Sequence, residues 1–280
     1  MQIFTERRSL DLWVAQIKTE RKSLGFVPTM GALHAGHISL IQASRAQNDY
    51  TICSVFVNPT QFDNAEDLEK YPRNMQEDTK ILKDAGCDAV FFPSVTDMYP
   101  EGAKSEKFNF RGIEKQMEGR YRKGHFDGVA TIVSRFFEII LPDRAYFGQK
   151  DFQQLRIIQE LVVQRGYPIE IVPMPIFREK SGLAMSSRNA RLSEKYLKEA
   201  SKIFKILNMI KDWRNQYSVT ETIHLAEDQF RNTDLKLEYL ILADEKKLKP
   251  IQSWDEASDI RAFVAVFADN IRLIDNLKII

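Results

Sequence analysis

Leu24-Gly25-Phe26-Val27, running straight into Pro28-Thr29-Met30-Gly31-Ala32-Leu33-His34-Ala35-Gly36-His37, is the stretch on which the reading of the fold turns. Its first four residues are apolar on both faces, as a buried parallel strand would be. The following ten hold two glycines and two histidines and lead into a helical pattern over 38–47. Where a strand turns directly into a helix, the free N–H groups and partial positive charge of the helix start face the turn and make an anion site. Gly31 and Gly36 allow a ligand to approach the backbone closely. His34 and His37, three apart, share a face of the first helical turn. Two imidazoles placed there suit a polyphosphate, whose oxygens accept their hydrogen bonds as charge builds. A zinc site would want a third and usually a fourth ligand, and none stands nearby in sequence. A single histidine is more often structural or merely exposed, yet two of the chain's four fall in this one turn.

The same alternation continues outward from it. Apolar runs recur at 51–57, 89–92, 145–147 and 169–172, separated by helical patterns at 65–84, 129–140 and 152–164. Strands alternating with helices predict crossover units, hence an α/β, Rossmann-like, doubly wound parallel sheet. Ligands in such sheets lie beyond the carboxyl ends of the strands, which directs attention to the loops after Val27, Val57 and Phe147. Beyond residue 177 the pattern changes to helices at 193–213 and 220–231 and strands at 236–243 and 261–268. We expect a domain over 1–177 and a smaller C-terminal α+β domain over 178–280, divided near Pro168, Pro173 and Pro175. The segment 104–123, rich in both charges, reads as a loop or short surface excursion.

The chain has 280 residues, 40 Lys+Arg against 39 Asp+Glu, and a formal net charge of +1. That balance argues against a bulk nucleic-acid or membrane-surface binder but not against one basic pocket. Cys53 and Cys87 are too few for a disulfide framework or a four-cysteine zinc site, and both are expected to be inert. Charges at Glu6, Arg7, Arg8 and Asp11 argue against a secretory leader, and no apolar run is long enough to span a membrane. The expectation is a cytoplasmic protein.

Three further clusters carry chemistry. Asn58-Pro59-Thr60-Gln61 ends a strand that Pro59 forbids extending; the Gln61 amide can read hydroxyl and carboxylate groups, or be exposed on an Asx turn. Gly148-Gln149-Lys150-Asp151 opens a helix after another strand; Lys150 can contact phosphates as a point charge, and Asp151 can cap the helix or hold ribose hydroxyls. Gln154 lies one turn on. The plain alternative is a capped helix with solvated polar residues. Near the domain junction, Met185, Ser186, Ser187 and Arg188 follow Gly182; the hydroxyls beside Arg188 can wrap phosphate oxygens, or belong to an ordinary polar linker with a cap at Ser193. Arg120, Arg122, Lys123 and His125 form a basic run, more commonly a solvated face. No G-x-x-x-x-G-K-[ST] or G-x-G-x-x-G motif is present.

Together, PTMGALHAGH (28–37), FVNPTQF (56–62), GHFDGV (124–129), FGQKDFQQL (147–155) and GLAMSSRN (182–189) resemble the pantoate–β-alanine ligase family of coenzyme A biosynthesis, and the likeness runs on to RLIDN (272–276). The His-x-Gly-His turn by itself is shared with the wider nucleotidyltransferase superfamily. The resemblance implies an AMP-forming ligase: pantoate's carboxylate attacks the α-phosphorus of ATP, giving pantoyl adenylate and pyrophosphate, and β-alanine's amine then attacks the activated acyl group, giving pantothenate and AMP. It implies catalytic roles for His34, His37 and Lys150. It implies ATP contacts from Met30, Gly31, Ala32, Leu33, His34, Ala35, Gly36 and His37, from Gly148, Gln149, Lys150 and Asp151, and from Met185, Ser186, Ser187 and Arg188. Gln61 and Gln154 would bind pantoate, Gln61 also β-alanine. The C-terminal domain would close over the active site, the subunit would form homodimers, and Mg²⁺ would accompany ATP, with Asp78 a candidate ligand. Neither nucleic acid nor membrane is an expected partner. An adenylyltransferase that stops after nucleotide transfer, and a silent nucleotide-binding regulator, are the alternatives. Formation of the amide separates the first from a ligase, and nucleotide binding without pyrophosphate release marks the second.

Overall fold

The structure, a computed structural model, describes residues 1–63 and 65–280. The chain divides into two compact units: Met1–Glu114, Glu118–Gln149 and Gln154–Pro175 form the first, and Lys115–Met117, Lys150–Gln153 and Ile176–Ile280 the second.

The first unit is built on β1 (Gln2–Phe4), α1 (Arg7–Thr19), β2 (Leu24–Thr29), α2 (Ala35–Gln47), β3 (Tyr50–Val55), α3 (Ala65–Glu69), α4 (Met75–Asp84), β4 (Ala89–Phe91), α5 (Val95–Met98), α6 (Met117–Tyr121), α7 (His125–Ile140), β5 (Arg144–Gly148), α8 (Phe152–Arg165) and β6 (Glu170–Met174), apart from Met117 of α6 and Phe152 and Gln153 of α8, which fall in the second. Its six strands pair in the order β1-β4-β3-β2-β5-β6, all parallel. The doubly wound sheet expected from the alternation is present. From β2 the chain winds one way to β3 and later returns to place β5 on the other side, so the order reverses between β2 and β5. A crevice at that reversal, beyond the carboxyl ends, is where open α/β sheets take ligands.

Burial explains why these strands are apolar throughout. Neighbouring residues of a strand face opposite sides, and in β2 both sides are covered. Phe26 packs on Phe136 and Phe137 of α7, while Val27 joins Leu40, Ile41, Cys53 and Val90 on the other face. Nearly every residue of α7 is buried, the mark of a helix enclosed on all sides. Cys53 and Cys87 both lie in this core. Burial pushes the Cys53 thiol far up and Cys87 to about 12, so neither is a ready thiolate.

The differences from the expected elements have local causes. The pattern at 65–84 forms two helices, because Pro72 disfavours helix at Tyr71 and Asn74 starts a new one by capping the N–H of Glu77. β1 has no sequence signal of its own, being three residues long and paired with β4 far along the chain. The charged 104–123 excursion ends in the short helix α6.

The second unit carries α9 (Glu194–Trp213), α10 (Val219–Arg231), β7 (Lys236–Asp244), β8 (Ile260–Ala268) and β9 (Ile271–Lys278). The strands form an antiparallel sheet in the order β7-β8-β9. Ser193 caps α9 through the N–H of Tyr196, and Ser218 and Glu221 form a capping box on α10. Ile203, Leu207 and Ile210 of α9 and Ala226 and Phe230 of α10 share a core with Leu240, Leu242, Val264 and Val266 of the sheet. β9 is a strand the sequence pattern does not announce, since Arg272, Asp275 and Asn276 interrupt its apolar residues. No helix among the described residues is long and apolar enough to cross a membrane.

Candidate active site

The turn after β2 is held in an uncommon shape. Gly31 has φ +83° and Ala32 φ +50°, both in the left-handed region that side chains disfavour. A Cβ on Gly31 would stand 2.8 Å from Asp78 Oδ2 and 3.0 Å from a methyl of Val55. The shape is maintained from a distance: Asp78, only 1% exposed, accepts the N–H of Ala32 at 3.1 Å and of Leu33 at 2.9 Å. Burial raises the Asp78 carboxyl above its ordinary value, and the two amides oppose that. Asp78 therefore stands as the turn's support rather than beside a metal: its two oxygens face backbone amides. Among the described residues no group of three or more His, Cys, Asp or Glu is placed to hold a metal ion.

The two histidines cap α2 reciprocally. His34 Nδ1 accepts the N–H of Gly36 at 3.1 Å, and His37 Nδ1 accepts the N–H of His34 at 3.2 Å. The ring centroids are 4.0 Å apart. An Nδ1 that accepts leaves the proton of a neutral imidazole on Nε2. Both rings are thus set as Nε2–H donors at the start of a helix whose N–H groups already favour an anion.

Gln61 sits beside this turn. Its Nε2 donates to Met30 Sδ at 2.9 Å, and its Oε1 accepts from Asn58 Nδ2 at 3.1 Å. Asn58, 1% exposed, is saturated: Nδ2 also donates to Gly128 O, and Oδ1 accepts from Thr60 and from Tyr99 Oη at 2.6 Å. The Gln61 carbonyl accepts from His125 Nδ1 at 2.8 Å, while Arg122 faces His125 Nε2 at 3.2 Å. The basic run at 120–125 thus spends Arg122 and His125 on holding Gln61. Gly128 admits this packing, because a Cβ there would lie 2.3 Å from Thr60 O.

Gly148 ends β5 on the far side of β2, and Gln149 opens the 3-10 turn that follows. Gln154, half-buried in the first turn of α8, has no hydrogen bond to Gln61 among the described residues. The first unit thus brings Gln61 against the histidine turn.

In the second unit, Lys150 and Asp151 adjoin, Nζ to Oδ1 at 3.9 Å. Arg178 and Ala184 bridge to close a small hairpin whose turn is Gly182 (φ +91°); a Cβ there would meet Phe204 at 2.8 Å. Met185, Ser186, Ser187 and Arg188 follow, half-buried, with Ser186 Oγ accepting the N–H of Arg188 at 3.2 Å. Asn189 Nδ2 ties this loop to Glu179 and to Ala184 O.

The sequence pattern does not point to Asp78 as the turn's support or to Tyr99 beneath Asn58, because each acts across tens of residues. Gly128 alone leaves a trace, as a glycine inside a helical pattern.

Residues 2–278 match the family model described as pantoate-beta-alanine ligase. The chain belongs to the pantoate–β-alanine ligase family. It is 47% identical over 281 aligned positions to the pantothenate synthetase of Christiangramia forsetii, covering 100% of this chain and 99% of the relative. It is 44% identical to that of Bacteroides fragilis, with 99% of each chain covered. Pantothenate synthetase from Thermus thermophilus superimposes with a TM-score of 0.93 at 38% identity, covering 100% of this chain and 99% of that one. The pantoate-beta-alanine ligase of Francisella tularensis, solved with beta-gamma ATP and beta-alanine, gives 0.83 at 34%, covering 99% and 97%.

Proposed function

We propose that this ligase forms pantothenate from pantoate, β-alanine and ATP with its adenylation centre on the turn after β2. The pantoate carboxylate attacks the α-phosphorus, the bond to the β-phosphate oxygen breaks, and pyrophosphate leaves. The β-alanine amine then attacks the acyl carbon, AMP departs, and the amide loses its extra proton to solvent. The observation that carries the assignment is the pair of Nε2–H donors, fixed by Nδ1 caps at the start of α2. Donors fixed before charge develops need no reorganisation in the transition state. His34 and His37 take that role, with His37 serving the leaving group. Met30, Gly31, Ala32, Leu33, Ala35 and Gly36 supply backbone to ATP.

Gln61 is the pantoate reader, and its position against Met30 supports this. Gln154 is the second reader, with Gln61 also near β-alanine. Gly148, Gln149, Lys150 and Asp151 hold ribose and phosphate, and Met185, Ser186, Ser187 and Arg188 hold the triphosphate. Mg²⁺ enters with ATP as part of the substrate, held mainly by phosphate oxygens and water. A homodimer and a cytoplasmic location belong to the same proposal; light scattering checks the first and cell fractionation the second.

The test is pyrophosphate release from MgATP and D-pantoate, without and then with β-alanine. A substoichiometric burst that becomes steady turnover on adding β-alanine is the expected result. No release under either condition refutes it.

A further inference from the structure

The segment Arg272-Leu273-Ile274-Asp275-Asn276 closes the family resemblance without a role. In the structure it lies in β9, and two of its residues reach out of the strand to two separate loops. Asp275 is almost wholly buried, 4% exposed. Arg178 grips it with both terminal nitrogens, Nη1 to Oδ2 at 2.6 Å and Nη2 to Oδ1 at 2.9 Å. The same guanidinium donates to Gly182 O at 3.1 Å and lies 3.9 Å over the Phe204 ring. Asp275 thereby fixes the hairpin that launches Met185, Ser186, Ser187 and Arg188. Its neighbour Asn276 donates from Nδ2 to the backbone carbonyl of Lys150 at 2.9 Å. The other end of that amide accepts from Arg261 Nη1 at 2.6 Å, and Arg261 is itself paired with Glu245 and stacked 4.1 Å over Phe152. The Lys150 ammonium is close enough for its field to act on Asp275.

Buried polar networks of this kind are retained only when fully partnered, and a bidentate guanidinium–carboxylate pair sets geometry as well as energy. Neither loop needs such an anchor to fold as a turn. We propose that Asp275 and Asn276 are positioning residues of the ligase, one shared support that sets the Lys150 loop and the Arg188 loop in fixed relation to each other, so that the two cations meet the same triphosphate. This rests on the proposed assignment of both loops to ATP.

Asn276→Asp is the informative variant. It keeps an oxygen for Arg261 but turns a carboxylate oxygen toward the Lys150 carbonyl, so only one arm of the support is lost. The expected result is an ATP KM raised about tenfold, which corresponds to ~1.4 kcal/mol, with the pantoate KM nearly unchanged; the thermal midpoint falls, because a carboxylate oxygen then faces a carbonyl at a buried position. In a Lys150→Ala background the same change should cost less than about twofold, because residues acting through one another are not additive. Arg178→Lys combined with Arg188→Ala reads the other arm the same way and stands in if Asn276→Asp does not fold. Equal factors in both backgrounds, or equal losses for ATP and pantoate, would overturn the proposal. If the parent enzyme releases no pyrophosphate, the assigned activity has failed. The support is then read from ATP affinity by calorimetry, where the same non-additivity must hold.

Discussion

The turn bearing His34 and His37 and the hairpin leading to Arg188 each depend on a buried aspartate, and the two aspartates are stabilised differently. The charge of Asp78 is spread over two backbone amides of the turn it supports. Asp275 is paired with Arg178 and takes one amide, from Asn276. The first arrangement draws the amides of Ala32 and Leu33 onto one carboxylate and so fixes the backbone that carries the imidazoles. The second joins side chains and carbonyls from distant segments. Both join segments far apart in the chain, but the carboxylate supported by amides fixes a backbone shape, whereas the one paired with arginine fixes a side chain that holds a second loop.

The largest expected effect comes from removing the paired carboxylate. Asp275→Ala strands a buried guanidinium, and should lower unfolding free energy by about 3–5 kcal/mol, read by urea titration; Asp78→Ala strands only amides and should cost less. The reverse ranking would contradict this contrast between the two aspartates. Next, His37→Ala should slow adenylation about a hundredfold or more, on the scale of ~3–4 kcal/mol for one lost transition-state donor, with ATP binding little changed. Pyrophosphate release checks it, and turnover like the parent's would remove His37 from the assigned role.

A smaller effect isolates Asp78 itself. Its carboxyl is raised above 3.8, so the fold binds its proton more tightly than the unfolded chain does. The sign follows: its contribution to stability is fully present below pH 3.8 and is lost as pH rises through the higher folded value. Asp78→Asn has no such loss, so its stability relative to the parent should improve as pH rises from 3.8 through that range. Unfolding free energies measured across it would show no such trend if the amides outweighed burial. The smallest effect is Tyr99→Phe, which removes the hydroxyl that donates to Asn58 at 2.6 Å. It should cost ~1 kcal/mol of stability and raise the pantoate KM a few-fold in steady-state assays, leaving the ATP KM alone.

The alternation of apolar runs with helical patterns is enough to predict the parallel sheet, because a strand covered on both faces must be apolar throughout. Phe26 and Val27 illustrate it, one facing α7 and the other α2. The split at Pro72, the short β1 and the polar-interrupted β9 are not legible in the same way. The first two depend on a cap and a pairing partner outside the pattern, and the third hides its apolar alternation behind Asp275 and Asn276. The histidine turn can be read as an anion site because its glycines, its helix start and its imidazoles are adjacent in sequence.

The strand-to-helix turn, the residue types available for phosphate chemistry and the family are therefore all legible from the order of residues. They rest on short-range relations, where spacing along the chain equals placement in space. Three facts emerge only once the chain is folded: Asp78 supports the turn, Gln61 is held by Asn58, His125 and Met30, and β9 anchors the Lys150 loop. Each joins groups separated in sequence, most by tens of residues, and a buried polar atom finds its partner through the packing of the whole fold.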